Sequence, residues 1–268
     1  MSTSSPSWQA KLSLGFAQRS GKTVLAERQQ LGPLTVQRAF YPEGDLAHLY
    51  ILHPPGGVVG GDDLHITAYC ADYAQALLTT PAAGKFYRSA GAWARQRITL
   101  RVGEHASLEW LPQETLLFGG AQVDLQTQVE LGNNSHFIGW DMLCLGMPES
   151  QDSFEQGAAR LKLRIHLENQ PVLIENLNAD HAFAQAAWGL RGNPVLGVFY
   201  AYPFPKADLA AVQALWEAQT GFAATWLDGL LVCRGIAPQA AAMRTEFERV
   251  WRLTRPLAIG RPACSPRI

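Results

Sequence analysis

The sequence predicts a mainly β protein, built from stacked long and mostly antiparallel sheets, with two helices in the C-terminal part. Apolar and polar residues alternate in several runs as far as about residue 202, which is the period of a strand with one buried face. Gly and Pro separate these runs, as they do at turns. Beyond residue 202 the apolar residues recur at helical spacing in two places.

The alternating runs are long enough to form most of one core. Each run directs one set of side chains to a core and the other set to solvent or to a second layer. The clearest runs are Trp8–Phe16, Leu64–Cys70, Ile98–Val102, Ala121–Leu131 and Ala159–Leu167.

The C-terminal part has a different pattern. Residues Leu209–Trp216 have helical spacing, and Gly221 stands where that helix should stop. Asp228-Gly229 separates two apolar runs and predicts a tight hairpin. A second helix is expected to begin near Pro238 and to end before Pro256, because proline cannot continue a helix.

The chain contains no clear linker, so we expect one domain over residues 1–268. Its strand-rich part spans residues 8–202, the mixed helix and hairpin part spans 203–256, and a tail spans 257–268. The last stretch, residues 255–268, has three prolines and no periodicity, which predicts an extended or mobile tail unless a partner orders it.

Composition excludes several classes of function. Charged residues make up 17% of 268 residues and the formal net charge is -1, so no electrostatic attraction to nucleic acid or to an anionic membrane is expected. The four cysteines are far apart in sequence and form no zinc-site spacing. The N-terminus has no apolar signal core, which favours a cytoplasmic protein with reduced thiols.

A nucleotide site is not expected at Gly21-Lys22-Thr23. A phosphate-binding loop needs a glycine five positions before Gly21, where Phe16 stands, and a helix after it. The segment predicts a turn between two strands.

The segment His53–Asp63 is the strongest local signal, with four glycines and two prolines in a loop between two predicted strands. Its polar residues leave one enzymatic alternative open, a metal-dependent hydrolase on a β scaffold that uses His53, Asp62 and His65. Another alternative is a carbohydrate-binding module that uses the aromatic residues Trp93, Trp110 and Trp140.

Three carboxylates, Glu109, Asp141 and Glu175, lie within apolar strand-like runs. Buried acids are costly unless they are paired or hydrated. They therefore lie either on an outward strand face or along a hydrated internal passage.

Several segments together resemble the UreD (UreH) family of urease accessory proteins. The resemblance is carried, in order, by His53–Asp62, Leu78–Ser89, Leu108–Glu114, Gly139–Asp141, Val250-Trp251 and Arg255-Pro256. It implies a scaffold without catalytic residues that binds apo-urease on one side and UreF on the other, and through UreF the GTPase UreG. It also implies that nickel passes to the urease site without a tightly bound cofactor.

Residue types then suggest hypotheses for two of these roles, because isolated carboxylates suit transit of nickel and aromatic and Arg side chains are the usual anchors of an interface. Asp63, Asp141 and Glu175 are the candidates for a nickel passage, and Trp251, Arg255 and Arg261 are those for the contact with UreF, with a core position for Trp251 as the alternative. The family-motif loop comprises His53, Pro54, Pro55, Gly56, Gly57, Gly60, Gly61 and Asp62.

One segment departs from the family pattern. Within Leu145–Phe154, Met147 replaces an arginine, and Gln151-Asp152 stand where Gly-Glu is usual. We expect any contact made by this loop, including Pro148-Glu149, to be altered in this chain.

Overall fold

The computed structural model describes residues 8–147, 150 and 152–264, and it has three layers. A seven-stranded sheet packs on a ten-stranded sheet, and helices cover the far face of the second. The strands are β1 (Gln9–Arg19), β2 (Lys22–Leu31), β3 (Thr35–Val36), β4 (Ala47–Leu52), β5 (Asp63–Cys70), β6 (Gln75–Thr79), β7 (Gly84–Phe86), β8 (Ala94–Val102), β9 (Ser107–Leu111), β10 (Thr115–Leu117), β11 (Gln122–Leu131), β12 (His136–Leu145), β13 (Ala158–Leu167), β14 (Gln170–Asp180), β15 (Val195–Tyr202), β16 (Phe222–Leu227) and β17 (Leu230–Ala237), and the helices are α1 (His181–Gln185), α2 (Leu209–Ala214) and α3 (Ala240–Ala258).

The prediction of mostly antiparallel sheets is wrong. The order β14-β13-β11-β8-β5-β1-β2 of the first sheet contains four parallel pairs, and β4, β6, β9 and β12 are parallel in the second. The chain alternates between the two sheets and winds as a solenoid. Successive strands of one sheet therefore run in the same direction. The opposite sheet provides the crossover that parallel strands need, without a helix.

The period-two pattern is confirmed where it predicts the core. In β1, Ala10, Leu12, Leu14 and Phe16 are all at most 3% exposed and alternate with exposed residues. The predicted turn before β2 is also confirmed: its Gly21 has φ +76°, a conformation in which a side chain would be strained.

In the C-terminal part, the predicted hairpin and the two predicted helices are confirmed, and the predicted end of the second helix is wrong. Asp228 and Gly229, both with positive φ, join β16 to β17. Helix α3 continues through Pro256 to Ala258, because the proline lies in its last turn, where the amide of Ile259 still bonds the carbonyl of Arg255. None of the described helices has the length and apolar character needed to cross a membrane.

Candidate functional site

A cavity of about 120 Å³ lies between the inner faces of the two sheets. Apolar side chains make up most of its wall, and a few polar groups project into it. Its polar lining comes from both sheets and comprises Gln96, Thr115, Gln126, Thr127, Asp141, Lys162, Glu175 and Tyr200.

Asp141 and Glu175, two of the three predicted passage residues, line this cavity together. Strand alternation places Asp141 on the inner face of β12, while its neighbours Trp140 and Met142 pack toward the helices. Alternation likewise turns Glu175 inward on β14, while Ile174 is 53% exposed on the other face. The two carboxylates therefore enter one space from opposite sheets.

The environment of Asp141 favours its neutral form. Burial raises the pKa of its carboxyl from 3.8 to about 7, although the nearby indole of Trp110 and hydroxyl of Thr127 partly oppose the shift. Burial also raises the pKa of Tyr200 well above its usual value, and the charges of Asp141 and Glu175 add to that effect. Both shifts show that the cavity is poorly hydrated, so that a charge on either group is costly there unless it is paired.

Asp63, the third predicted passage residue, does not reach the cavity. It lies on the outer face of β5, 2.8 Å from Nη1 of Arg97 and 3.0 Å from Nε2 of His65. Its neighbour Leu64 points inward instead. The structure therefore separates Asp63 from the other two carboxylates.

The first three of the sequence blocks that carry the family resemblance, His53–Asp62, Leu78–Ser89 and Leu108–Glu114, stack at one edge of the solenoid. Backbone hydrogen bonds connect their loops: the amide of Val58 donates to Lys85 (2.7 Å), and that of Gly84 donates to Glu114 (2.9 Å). The amide of Gln113 donates to the hydroxyl of Thr80 (3.0 Å). The blocks thus form one layered surface.

Within the family-motif loop, Asp62 has a structural role. It is 6% exposed, and its two carboxylate oxygens accept the amides of Trp8 (2.9 Å) and Val59 (3.0 Å). Gly60 allows close packing, since a Cβ there would lie 2.3 Å from the hydroxyl of Ser89. These contacts fix the loop against its neighbours.

A second cavity, of about 270 Å³, lies beneath the same loop. His53, Thr80 and Lys85 contribute polar groups to it, and Gln96 lines both cavities. Burial lowers the pKa of His53, which the charge of Asp62 partly offsets. The motif edge and the inter-sheet cavity are therefore neighbours.

The loop that departs from the family pattern is described only in part, because Pro148, Glu149 and Gln151 lie outside the described residues. Met147 and Asp152 form a backbone bridge with hydrogen bonds of 2.9 and 3.1 Å. The carboxylate of Asp152 accepts the amide of Gly119 at 2.7 Å. Asp152 thus holds this loop against the one before β11.

The structure corrects the prediction that Trp251 and Arg255 lie at a partner surface, because both are buried. Trp251 has the core position that was its alternative. Its indole donates to Glu109 at 2.7 Å, and the guanidinium of Arg255 contacts Glu109 and Glu43, each at 2.8 Å. Glu109 is therefore a paired core acid. Among the described residues, Trp188 is the most exposed of the large apolar side chains, at 80%, and it is the kind of residue that anchors a partner.

The buried network of Glu43, Glu109 and Arg255 shifts the pKa values of its members. Burial alone would raise the pKa of Glu43, but hydrogen bonds from His48 and Arg255 lower it to about 2. Burial would lower the pKa of Arg255, but its bonds to Glu43 and Glu109 raise it above the usual value. All these charges are thus kept in the interior by their partners.

Arg261, the remaining partner candidate, is half-buried. Its guanidinium donates to Asp45 (2.7 Å) and Gln75 (2.6 Å) and so attaches the tail to the second sheet. The described part of the tail ends at Cys264, and residues 265–268 lie outside it.

The residues proposed for a metal-dependent hydrolase and for a carbohydrate-binding module have other places in the structure. Asp62 is occupied by backbone amides, and His65 lies on an outer face beside Asp63. No three His, Cys, Asp or Glu side chains lie close enough to hold a metal ion in the described part of the chain. Trp110 and Trp140 are buried and offer no platform for a sugar.

The geometry defines a two-sheet β-solenoid protein with an acidic internal cavity and a layered loop edge, and comparison with known proteins agrees with its sequence blocks. A family model described as UreD urease accessory protein matches residues 9–268. Proteins named urease accessory protein UreD are similar over almost the whole chain. The one from Dechloromonas aromatica is 43% identical (98% of this chain, 95% of the relative), and the one from Klebsiella aerogenes is 41% identical (97% and 96%).

The chain belongs to the UreD family of urease accessory proteins. Its role is therefore in urease maturation, as an accessory protein.

Proposed function

We propose that this protein is a scaffold that binds apo-urease and UreF, and UreG through UreF, and that nickel reaches urease through its inter-sheet cavity. The observation that carries the proposal is the meeting of Asp141 and Glu175 in one cavity between the sheets. Membership of a family of urease accessory proteins supports these partners, and we place the protein with them in the cytoplasm.

The cavity has the chemistry of a transit site for a divalent cation. Carboxylate and hydroxyl oxygens, with water, bind nickel more weakly than a cage of thiolates and imidazoles does. A conduit must bind its ion well enough to admit it and weakly enough to release it. The two carboxyl groups of Asp141 and Glu175, with the hydroxyl of Thr127 nearby, are oxygen ligands of this weaker kind, which supports the proposal.

Narrowing the cavity without changing its charge tests the route. Val198 lines the cavity, and it pairs with Asp141 across β12 and β15 so that both lie on the same face. We expect Val198→Phe to place a ring beside Asp141 and to lower urease activation at limiting nickel by about tenfold, with overpacking of about 1 to 3 kcal/mol. Urease activity and nickel content are the readouts.

Ile174→Phe is the matched control, because Ile174 is exposed on the outer face next to Glu175. It should leave activation unchanged. Full activation by a folded Val198→Phe protein would contradict transit through this cavity.

A further inference from the structure

Arg234 stands at the margin of the cavity, in line with Asp141. Across the second sheet, Asp141 pairs with Val198, and Val198 pairs with Arg234. Residues paired in register lie on the same face of a sheet. All three therefore belong to the inner face, and Arg234 is the one nearest to the sheet edge formed by β16 and β17.

The guanidinium of Arg234 crosses to the other sheet. It donates to the carboxylate of Glu175, and this ion pair is the one that joins the two sheets among the described residues. The Arg234 side chain is 43% exposed and that of Glu175 is 31% exposed, although Glu175 also lines the cavity. The pair thus stands between the cavity and solvent.

We infer that Arg234 is an electrostatic gate that closes this end of the cavity to divalent cations by occupying the carboxylate of Glu175. The inference rests on the proposed function, since it assigns Glu175 to the path of the ion. It makes Arg234 a residue that controls access, while Asp141 and Glu175 supply the oxygen ligands.

The chemistry of the pair suits a gate. A guanidinium keeps its charge at all physiological pH values, so the gate does not depend on protonation. Its positive charge repels an approaching cation and also takes up the lone pairs that the cation needs. Because a solvent-exposed ion pair adds little to stability, the long Arg234 side chain can leave Glu175 for solvent at little cost.

Titration of the purified full chain with nickel, monitored by calorimetry, tests the gate. We expect Arg234→Gln to bind nickel about fivefold more tightly than the unmodified chain, because one nearby positive charge is removed. Arg234→Lys keeps the charge and should titrate as the unmodified chain does. Adding Glu175→Gln to Arg234→Gln should abolish the gain.

Equal titration of the unmodified chain and Arg234→Gln, including no binding by either, would overturn the gate. So would a gain that survives the addition of Glu175→Gln. The unfolding midpoint of each variant shows that the chain is folded. Urease activation tests the proposed function separately. Full activation by Val198→Phe would contradict the route through the cavity, but it would not change what the titration shows about Arg234.

Discussion

Replacing Asp141 with Asn and Glu175 with Gln together is expected to lower urease activation at limiting nickel by about tenfold or more, as loss of metal-site groups does. The amides keep the size of the two side chains but remove both carboxyl groups, the candidate metal ligands, from the cavity. Nickel content and activity of the urease that accumulates are the measurements. Each single variant should have a smaller effect, because one carboxylate remains.

The control for this pair is a second pair of acids on the outer face of the same protein. Asp124 and Glu130, both on β11, do not line the cavity, and they form ion pairs with Lys162 (3.7 Å) and Arg101 (2.7 Å). Asp124→Asn with Glu130→Gln removes the same charge and should leave activation intact. Unchanged activation by the Asp141 and Glu175 double variant at limiting nickel would exclude these residues from the route.

Arg255→Ala is expected to lower the free energy of unfolding by about 3 to 5 kcal/mol, as removal of one partner from a buried ion pair does. Arg255 is fully buried, and its loss leaves Glu109, 1% exposed, with a charge held mainly by the indole of Trp251. Denaturant unfolding of the purified chain measures the change. Removing the acid at the same time, with Glu109→Gln, should recover part of the loss.

Arg252→Ala is the matched control on the same helix. Arg252 is 61% exposed and pairs with Glu248 at 3.2 Å, so its removal should cost less than about 1 kcal/mol. If Arg255→Ala were no more destabilising than Arg252→Ala, the network of Arg255, Glu43 and Glu109 would not be holding α3 to the second sheet.

The sequence indicated strand positions better than strand direction. Alternation in β1 and β11 identifies the inward residues correctly, because every half-buried strand has the same period whether its neighbours are parallel or antiparallel. Direction depends on the crossover, and here the crossover is a strand of the other sheet. Nothing local in the sequence distinguishes that arrangement from a series of hairpins.

The same limit applies to the site. Apolar surroundings mark Asp141, Glu175 and Glu109 alike, yet two of them face a cavity and the third faces Arg255. Only the packing of α3 on the second sheet separates these cases. Arg234 was missed, although a charged residue within the apolar run of β17 is the same kind of signal.

Trp251 and Arg255 show the opposite error. Residue types that are frequent at interfaces are also stabilising in a core when acids are available to pair with them, and Glu109 and Glu43 lie far away in sequence. The spacing of α3 places Trp251 on its apolar face, and that observation favoured a buried position.

The central claim is tested most directly by measuring the nickel content and activity of urease made in cells that carry the urease genes and the other accessory genes, with and without this chain. The account predicts that urease accumulates without nickel or activity when the chain is absent and gains both when it is restored. Equal nickel content and equal activity in the two strains would contradict a role for this chain in nickel delivery.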